Sequence, residues 1–136
     1  MWKTKYLNIK KRVKVDCVQV FSLNYERFHK NDILFLFFQY KFAIRKFAFY
    51  SFIFGQGLYY MKRKYCANKM CILQDCLKEM NIKISRTEIY RLIQLYLNLG
   101  QYKKMYYCCN VSFLKKYSNQ LSLYLILHPE EAEFWK

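Results

Sequence analysis

Three groups of side chains have the chemistry to act: the cysteines, the histidines, and a cationic and polar set around residue 86. Cys66, Cys71 and Cys76 fall five residues apart. On a helix that step turns each thiol away from the last. The spacing matches neither a zinc ribbon nor a Cys2His2 finger. His29 and His128 are distant in sequence. These positions read as buried free thiols, with no metal and no cofactor. Cys108 and Cys109 are adjacent, a geometry that a disulfide accepts only with strain, so they read as unrelated core thiols. Nucleophilic catalysis has no footing, because no Gly-x-Ser-x-Gly occurs and no Cys stands in a known catalytic context. Glu130, Glu131 and Glu133 lie along one short segment and do not supply convergent carboxylates for acid–base work. Gly55-Gln56-Gly57 lacks the third glycine and the Lys-Ser/Thr of a phosphate loop. An enzyme is not expected.

The third group lies in Ser85 to Gly100, SRTEIYRLIQLYLNLG. Ser85 is placed to accept the Glu88 backbone N–H, and Glu88 to reach back to the Ser85 N–H, as a capping box. Ile84 and Ile89 are placed to close a hydrophobic staple. Ile89, Leu92, Ile93, Tyr96 and Leu99 recur at helical spacing. Gly100 reads as a left-handed stop. The spacing predicts a helix over about 86–99, with Arg86, Thr87, Tyr90 and Gln94 on the face away from the apolar stripe. Before it, Asn68 reads as an N-cap, and Met70, Leu73, Leu77 and Met80 step round one face with Cys76 beside them. That helix ends near Asn81, which tolerates the left-handed conformation.

The remaining elements are less regular. The chain of 136 residues carries a net charge of +15, and residues 1–65 hold fourteen of its 24 Lys and Arg against three of its nine acids. Such a balance favours a polyanion, either nucleic acid or an anionic membrane surface. Lys, Leu, Tyr, Phe, Ile and Asn dominate, as AT-rich codons would supply, so aromatic abundance alone carries no argument. Lys10, Lys11 and Arg12, with Lys14, form the densest part of a basic arm over 1–14. Its composition is not that of a secretory signal, so an intracellular setting, cytoplasmic or nuclear, with reduced thiols is expected. In that setting Asn110-Val111-Ser112 is idle as a glycosylation acceptor. Val13 to Tyr25 alternates and reads as strand. Ile33 to Tyr60 is apolar but interrupted by Lys41, Arg45 and Lys46, so it does not read as a membrane span. It reads as a packed core segment, a buried hairpin, or an interfacial helix dipping Phe42, Phe49 and Phe52 into lipid. MKRKY, 61–65, is a basic joint. Residues 103–127 read as helix in two pieces with a break at Asn110. Pro129, followed by acids, starts a further short helix, read as a docking tail or as the mark of a shortened chain.

Ile84-Ser85-Arg86-Thr87-Glu88-Ile89-Tyr90-Arg91 resembles the start of the recognition helix in resolvase and invertase DNA-binding domains, which read similarly as Ile-Ser-Arg, a hydroxyl residue, an aliphatic, then Tyr-Arg. The likeness spans about 69–99. It implies a helix-turn-helix whose second helix enters the major groove. It further implies that Arg86, Thr87, Tyr90 and Gln94 face DNA, that Arg91 and Lys83 approach phosphates, and that Ile82, Ile84, Ile89 and Leu92 are core. The family's small residue in the first helix is Glu79 here, and its turn glycine is Lys83. A side chain as large as Glu79 keeps the two helices apart. The fold expected is mainly α: a helical bundle over 66–136, joined to a basic, aromatic-rich half over 1–65 that is either β-containing or irregular. The function expected is a small intracellular DNA-binding protein, with Lys10, Lys11 and Arg12 adding phosphate contacts. Two rivals stand beside it: an interaction or degenerate protein without enzymatic activity, and a membrane-surface protein acting through 33–64.

Overall fold

The computed structural model describes residues 2–12, 23–42 and 48–136. They form eight helices: α1 (Trp2–Arg12), α2 (Asp32–Phe42), α3 (Phe49–Tyr65), α4 (Met70–Glu79), α5 (Arg86–Leu99), α6 (Met105–Cys108), α7 (Val111–Leu127) and α8 (Pro129–Trp135). The chain is mainly helical, as expected. No strand occurs among the described residues. Leu23 to Tyr25 are coil and turn, and the rest of the expected strand, 13–22, lies outside the described residues.

The helix at the centre is α3, and α5 is its principal neighbour, followed by α2. Every residue from Ser51 to Leu58 is buried. A helix covered on all sides has no polar face, so its sequence carries no helical period, and it reads equally as strand or span. Gly55 and Gly57 explain how neighbours come so close. A Cβ on Gly55 would lie 3.0 Å from the Leu92 carbonyl carbon and closer still to its oxygen, so the α3–α5 crossing depends on a bare Cα there. The one long polar side chain in this stretch is satisfied, because Gln56 Oε1 accepts the Leu23 N–H at 2.8 Å and Gln56 Nε2 donates to Tyr60 Oη at 3.2 Å.

Two apolar clusters flank α3. One gathers Tyr6, Phe52, Leu95, Leu99, Tyr106, Leu114, Leu121, Leu125 and Trp135. The other gathers Phe28, Ile33, Phe37, Phe54, Leu58, Met61, Leu73, Leu77, Ile82, Ile89 and Leu92. Both draw on residues from either side of position 65. Part of the basic joint is structural: Lys64 Nζ donates to the carbonyls of Tyr25, Glu26 and Phe28 at 3.0, 2.9 and 2.8 Å, holding the turn before α2.

The connections around α4 use left-handed residues. At its end Asn81 takes φ 59°, as its side chain suggested. Its N–H reaches the Lys78 carbonyl, and the Ile82 N–H reaches that of Leu77, both at 2.9 Å. That is a Schellman closure, completed by the burial of Leu77 and Ile82 in the same apolar cluster. At its start the expectation fails. Lys69, not Asn68, is the N-cap and gives no side-chain bond. Asn68 (φ 58°) and Ala67 (φ 50°) instead turn the chain out of α3.

Gly100 also departs from expectation. It sits in the right-handed region at φ −59°, ψ −29°. The chain does not reverse there, but tightens into a turn closed by the Tyr102 N–H on the Leu99 carbonyl at 3.0 Å. Asn110 breaks the next segment as read: it is the N-cap of α7 and its Oδ1 accepts the Ser112 N–H at 2.8 Å. Tyr117 (φ −118°, ψ 19°) kinks α7. The Pro129 helix docks through Trp135, whose indole N–H donates to Tyr6 Oη at 3.0 Å.

Candidate nucleic-acid interface

Ser85 builds the start of α5 as its type requires. Its backbone is extended, φ −73° and ψ 153°, and its Oγ accepts the Glu88 N–H at 3.1 Å. The reciprocal half of the capping box is not made. Glu88 turns its carboxylate outward to Lys115 Nζ and to the Tyr40 hydroxyl, the latter at 3.0 Å. An ammonium and a half-buried phenol are stronger partners for a charged acceptor than a backbone N–H in water. In return, burial and then the Glu88 charge push the Tyr40 hydroxyl well above the ordinary phenol range.

Ile89, Leu92, Ile93, Leu95 and Leu99 are buried, and Ile84 packs on the same cluster as Ile89. Opposite them, Arg86, Thr87, Tyr90 and Arg91 are exposed and Gln94 is half-exposed. At 100° per residue these five fall within one arc of the helix. Tyr90 is 56% exposed. Lys83 is exposed just before the cap. Glu79 is also exposed, turned away from the core. Its bulk therefore causes no clash, and α4 leans chiefly on α3. The five nucleic-acid candidates on α5 thus share one surface, with Lys83 at its edge.

The basic arm is arranged differently. Residues 2–12 form α1, and Lys10 is committed to Glu131 of α8 by an ion pair of 2.7 Å. Glu131 also accepts the Tyr6 hydroxyl at 2.6 Å. Lys11 is exposed. The side chain of Arg12 and residues 13 and 14 lie outside the described residues. Lys10 is therefore a packing residue tied to α8 and does not join the exposed face of α5.

Other cations do. A groove of about 480 Å³ runs between α5 and the start of α7, lined by Glu88, Arg91, Ser112, Lys115 and Lys116. Lys115 is neutralised by Glu88. Arg91 has no ion pair among the described residues, and Lys116 rests over the Tyr117 ring with its ammonium 5.3 Å from the centroid. The groove is positive and open beside the exposed face of α5. Sequence reasoning missed Ser112, Lys115 and Lys116. The Lys115-Lys116 pair was visible, but nothing in the sequence places the start of α7 beside α5.

The cysteines differ from expectation at two points: Cys66 is buried as read, but Cys71 is exposed and Cys76 half-buried, and the three do not share a helix. Cys66 is the C-cap of α3, not a residue of α4, and its Sγ lies 3.9 Å from that of Cys76. The divergence expected of a single helix holds only for residues on that helix. Among the described residues no three His, Cys, Asp or Glu side chains gather as metal ligands. No described helix is long and apolar enough to cross a membrane. Comparison of the chain with protein-family models, curated proteins and solved structures gives no match.

Proposed function

We propose that this chain is a non-enzymatic, intracellular nucleic-acid-binding protein that lays the exposed face of α5 in the major groove of duplex DNA. One observation carries the reading: Arg86, Thr87, Tyr90, Arg91 and Gln94 share a solvent face on a helix whose other face is core. A helix of fourteen residues is about 21 Å long, and the major groove, about 12 Å wide, accepts such a rod. Arg86 and Gln94 are of the types that bond base edges bidentately. Arg91, Lys116 and Lys83 take the flanking phosphates, and Ser112 supplies a hydroxyl to one of them. The resolvase-like run Ile84 to Arg91 supports the same assignment of faces.

The test is fluorescence anisotropy of a labelled duplex titrated at several salt concentrations. Three phosphate contacts give a slope of log K on log salt of about −2.7. Lys116→Ala and Arg91→Ala each lower the slope by about one and weaken all duplexes alike. Arg86→Ala lowers discrimination between duplexes more than the slope. No salt-dependent retention of any duplex overturns the reading.

A second reading is favoured by α2. Leu34, Phe35, Phe38, Lys41 and Phe42 are exposed on one side of it, with Phe42 at 67%. Of the lipid-facing set expected from sequence, Phe42 stays exposed, Phe49 is half-buried, and Phe52 is buried and stacks on Tyr106 with centroids 3.9 Å apart. Arg45 and Lys46 lie outside the described residues. Aromatic side chains beside a lysine are suited to an anionic lipid surface. Co-sedimentation with phosphatidylserine vesicles, lost in Phe38→Ser/Phe42→Ser, decides it.

A further inference from the structure

Cys66 and Cys76 come from different elements and meet at one point. Cys66 closes α3 and is 1% exposed. Cys76 lies on α4 and is half-buried. The Cys66 S–H points at the Cys76 sulfur, 3.9 Å away. A disulfide holds its sulfurs about 2.05 Å apart, so each has about 1 Å to travel, within the reach of a small side-chain rotation. The loop between them already turns back on itself through Ala67 and Asn68, and the Lys69 N–H closes on the Cys66 carbonyl at 2.9 Å. Cys71, on the same helix as Cys76, is exposed and five residues away, on another side of α4.

We propose that Cys66 and Cys76 are an oxidisable dithiol, which a hydroperoxide converts into a reversible disulfide pinning α4 to the end of α3. Cys76 is the more exposed of the two and reacts first. Its thiolate attacks the outer oxygen of the peroxide, the O–O bond breaks, and hydrogen peroxide leaves one water and a sulfenic acid on Cys76. The Cys66 sulfur then attacks the Cys76 sulfur. The S–S bond forms, the S–O bond breaks, and the departing hydroxide leaves as the second water with the proton of the Cys66 thiol. Two thiols are oxidised by two electrons, and one peroxide is reduced to two waters. Burial and the neighbouring Cys76 push the Cys66 thiol up to about 12. That keeps it protonated and slow toward peroxide itself, and its proton is the one the departing hydroxide takes. Access and position thus divide the roles between the two sulfurs. The inference does not rest on the nucleic-acid reading, because the pair stands apart from the exposed face of α5.

The experiment treats the full chain with hydrogen peroxide, blocks remaining thiols with iodoacetamide, and maps tryptic peptides without reduction. The expected product joins the peptide 65–69 to the peptide 70–78, persists in Cys71→Ser, disappears in Cys76→Ser, and is released by dithiothreitol. Closing the short loop also raises the Tm of the oxidised protein by about 5 °C. Two results overturn the proposal. One is a link that survives in Cys76→Ser but not in Cys71→Ser. The other is wild-type protein in which Cys76 is recovered as sulfinic acid while Cys66 remains an alkylatable thiol. Fragmentation of the joined wild-type peptides between residues 71 and 76 places the bond on one of the two cysteines, and so decides the matter even where a serine variant fails to fold.

Discussion

Ser85 spends its hydroxyl on the Glu88 N–H, so Ser85→Ala leaves a donor in the first turn of α5 without a protein partner. The expected loss is about 1 kcal/mol, read as a lower urea midpoint at unchanged slope. Glu88 is different, because its carboxylate ties α5 to Lys115 of α7 and Tyr40 of α2. Local sequence pointed to the cap and missed the ties, since neither partner is near in the chain. Ala67 shows a cost of the opposite kind. Its φ of 50° places a Cβ where L-residues are penalised by about 1–2 kcal/mol. Glycine is free of that penalty but loses more entropy on folding. Ala67→Gly is therefore expected to stabilise the protein by about 0.5 kcal/mol in the same urea experiment. A loss of stability would show that the Ala67 methyl packs more than the turn needs.

Among the elements, those with one apolar face were legible and those with two were not. α4 and α5 each bury one side, so Leu73 and Leu77, then Ile89, Leu92, Ile93 and Leu99, announced both helices and their cores. α3 buries all sides over Ser51 to Leu58, and this erased the period that marks a helix. Its glycines carry the information instead. Gly55→Ala drives a methyl into the Leu92 carbonyl, a backbone group that cannot swing aside. The expected cost is about 1–3 kcal/mol, seen in thermal unfolding. Gly57→Ala meets side-chain ends and no backbone, with Leu36 Cδ1 2.6 Å and Ile33 Cδ1 3.2 Å from the new Cβ. A methyl there displaces a flexible tip, so the loss is smaller. Equal losses at both sites would contradict the close crossing of α3 and α5.

Across the whole molecule the two ends of the chain close on each other. Tyr6 and Lys10 of α1 meet Glu131 and Trp135 of α8. The Lys10 ammonium, and then the Tyr6 hydroxyl, hold the Glu131 carboxyl below the usual carboxylate range. A carboxyl lowered by folding stabilises the protein above its unfolded value, about 4.3, and that contribution fades as pH falls through the lower folded value. Wild type is therefore expected to lose stability below about pH 4.3 more steeply than Glu131→Gln, with the two curves converging in acid. Parallel curves of Tm against pH would show the carboxylate to be idle. The closure also removes Lys10 from the set of cations open to a polyanion, while Lys116, unremarked in the sequence, joins Arg91 at the groove.

The sequence by itself determined the capped helix at Ser85, its apolar stripe, the outward set from Arg86 to Gln94, and the Asn81 closure. Each depends on side chains within a few residues of one another, and short-range geometry leaves them one arrangement. Only the tertiary structure decided that α1 docks on α8, that Glu88 abandons its cap for Lys115, that α7 walls the groove, and that Cys66 meets Cys76. Those pairings join residues far apart along the chain or on different helices. They follow from which faces pack together around α3, a matter of mutual burial that no local spacing encodes.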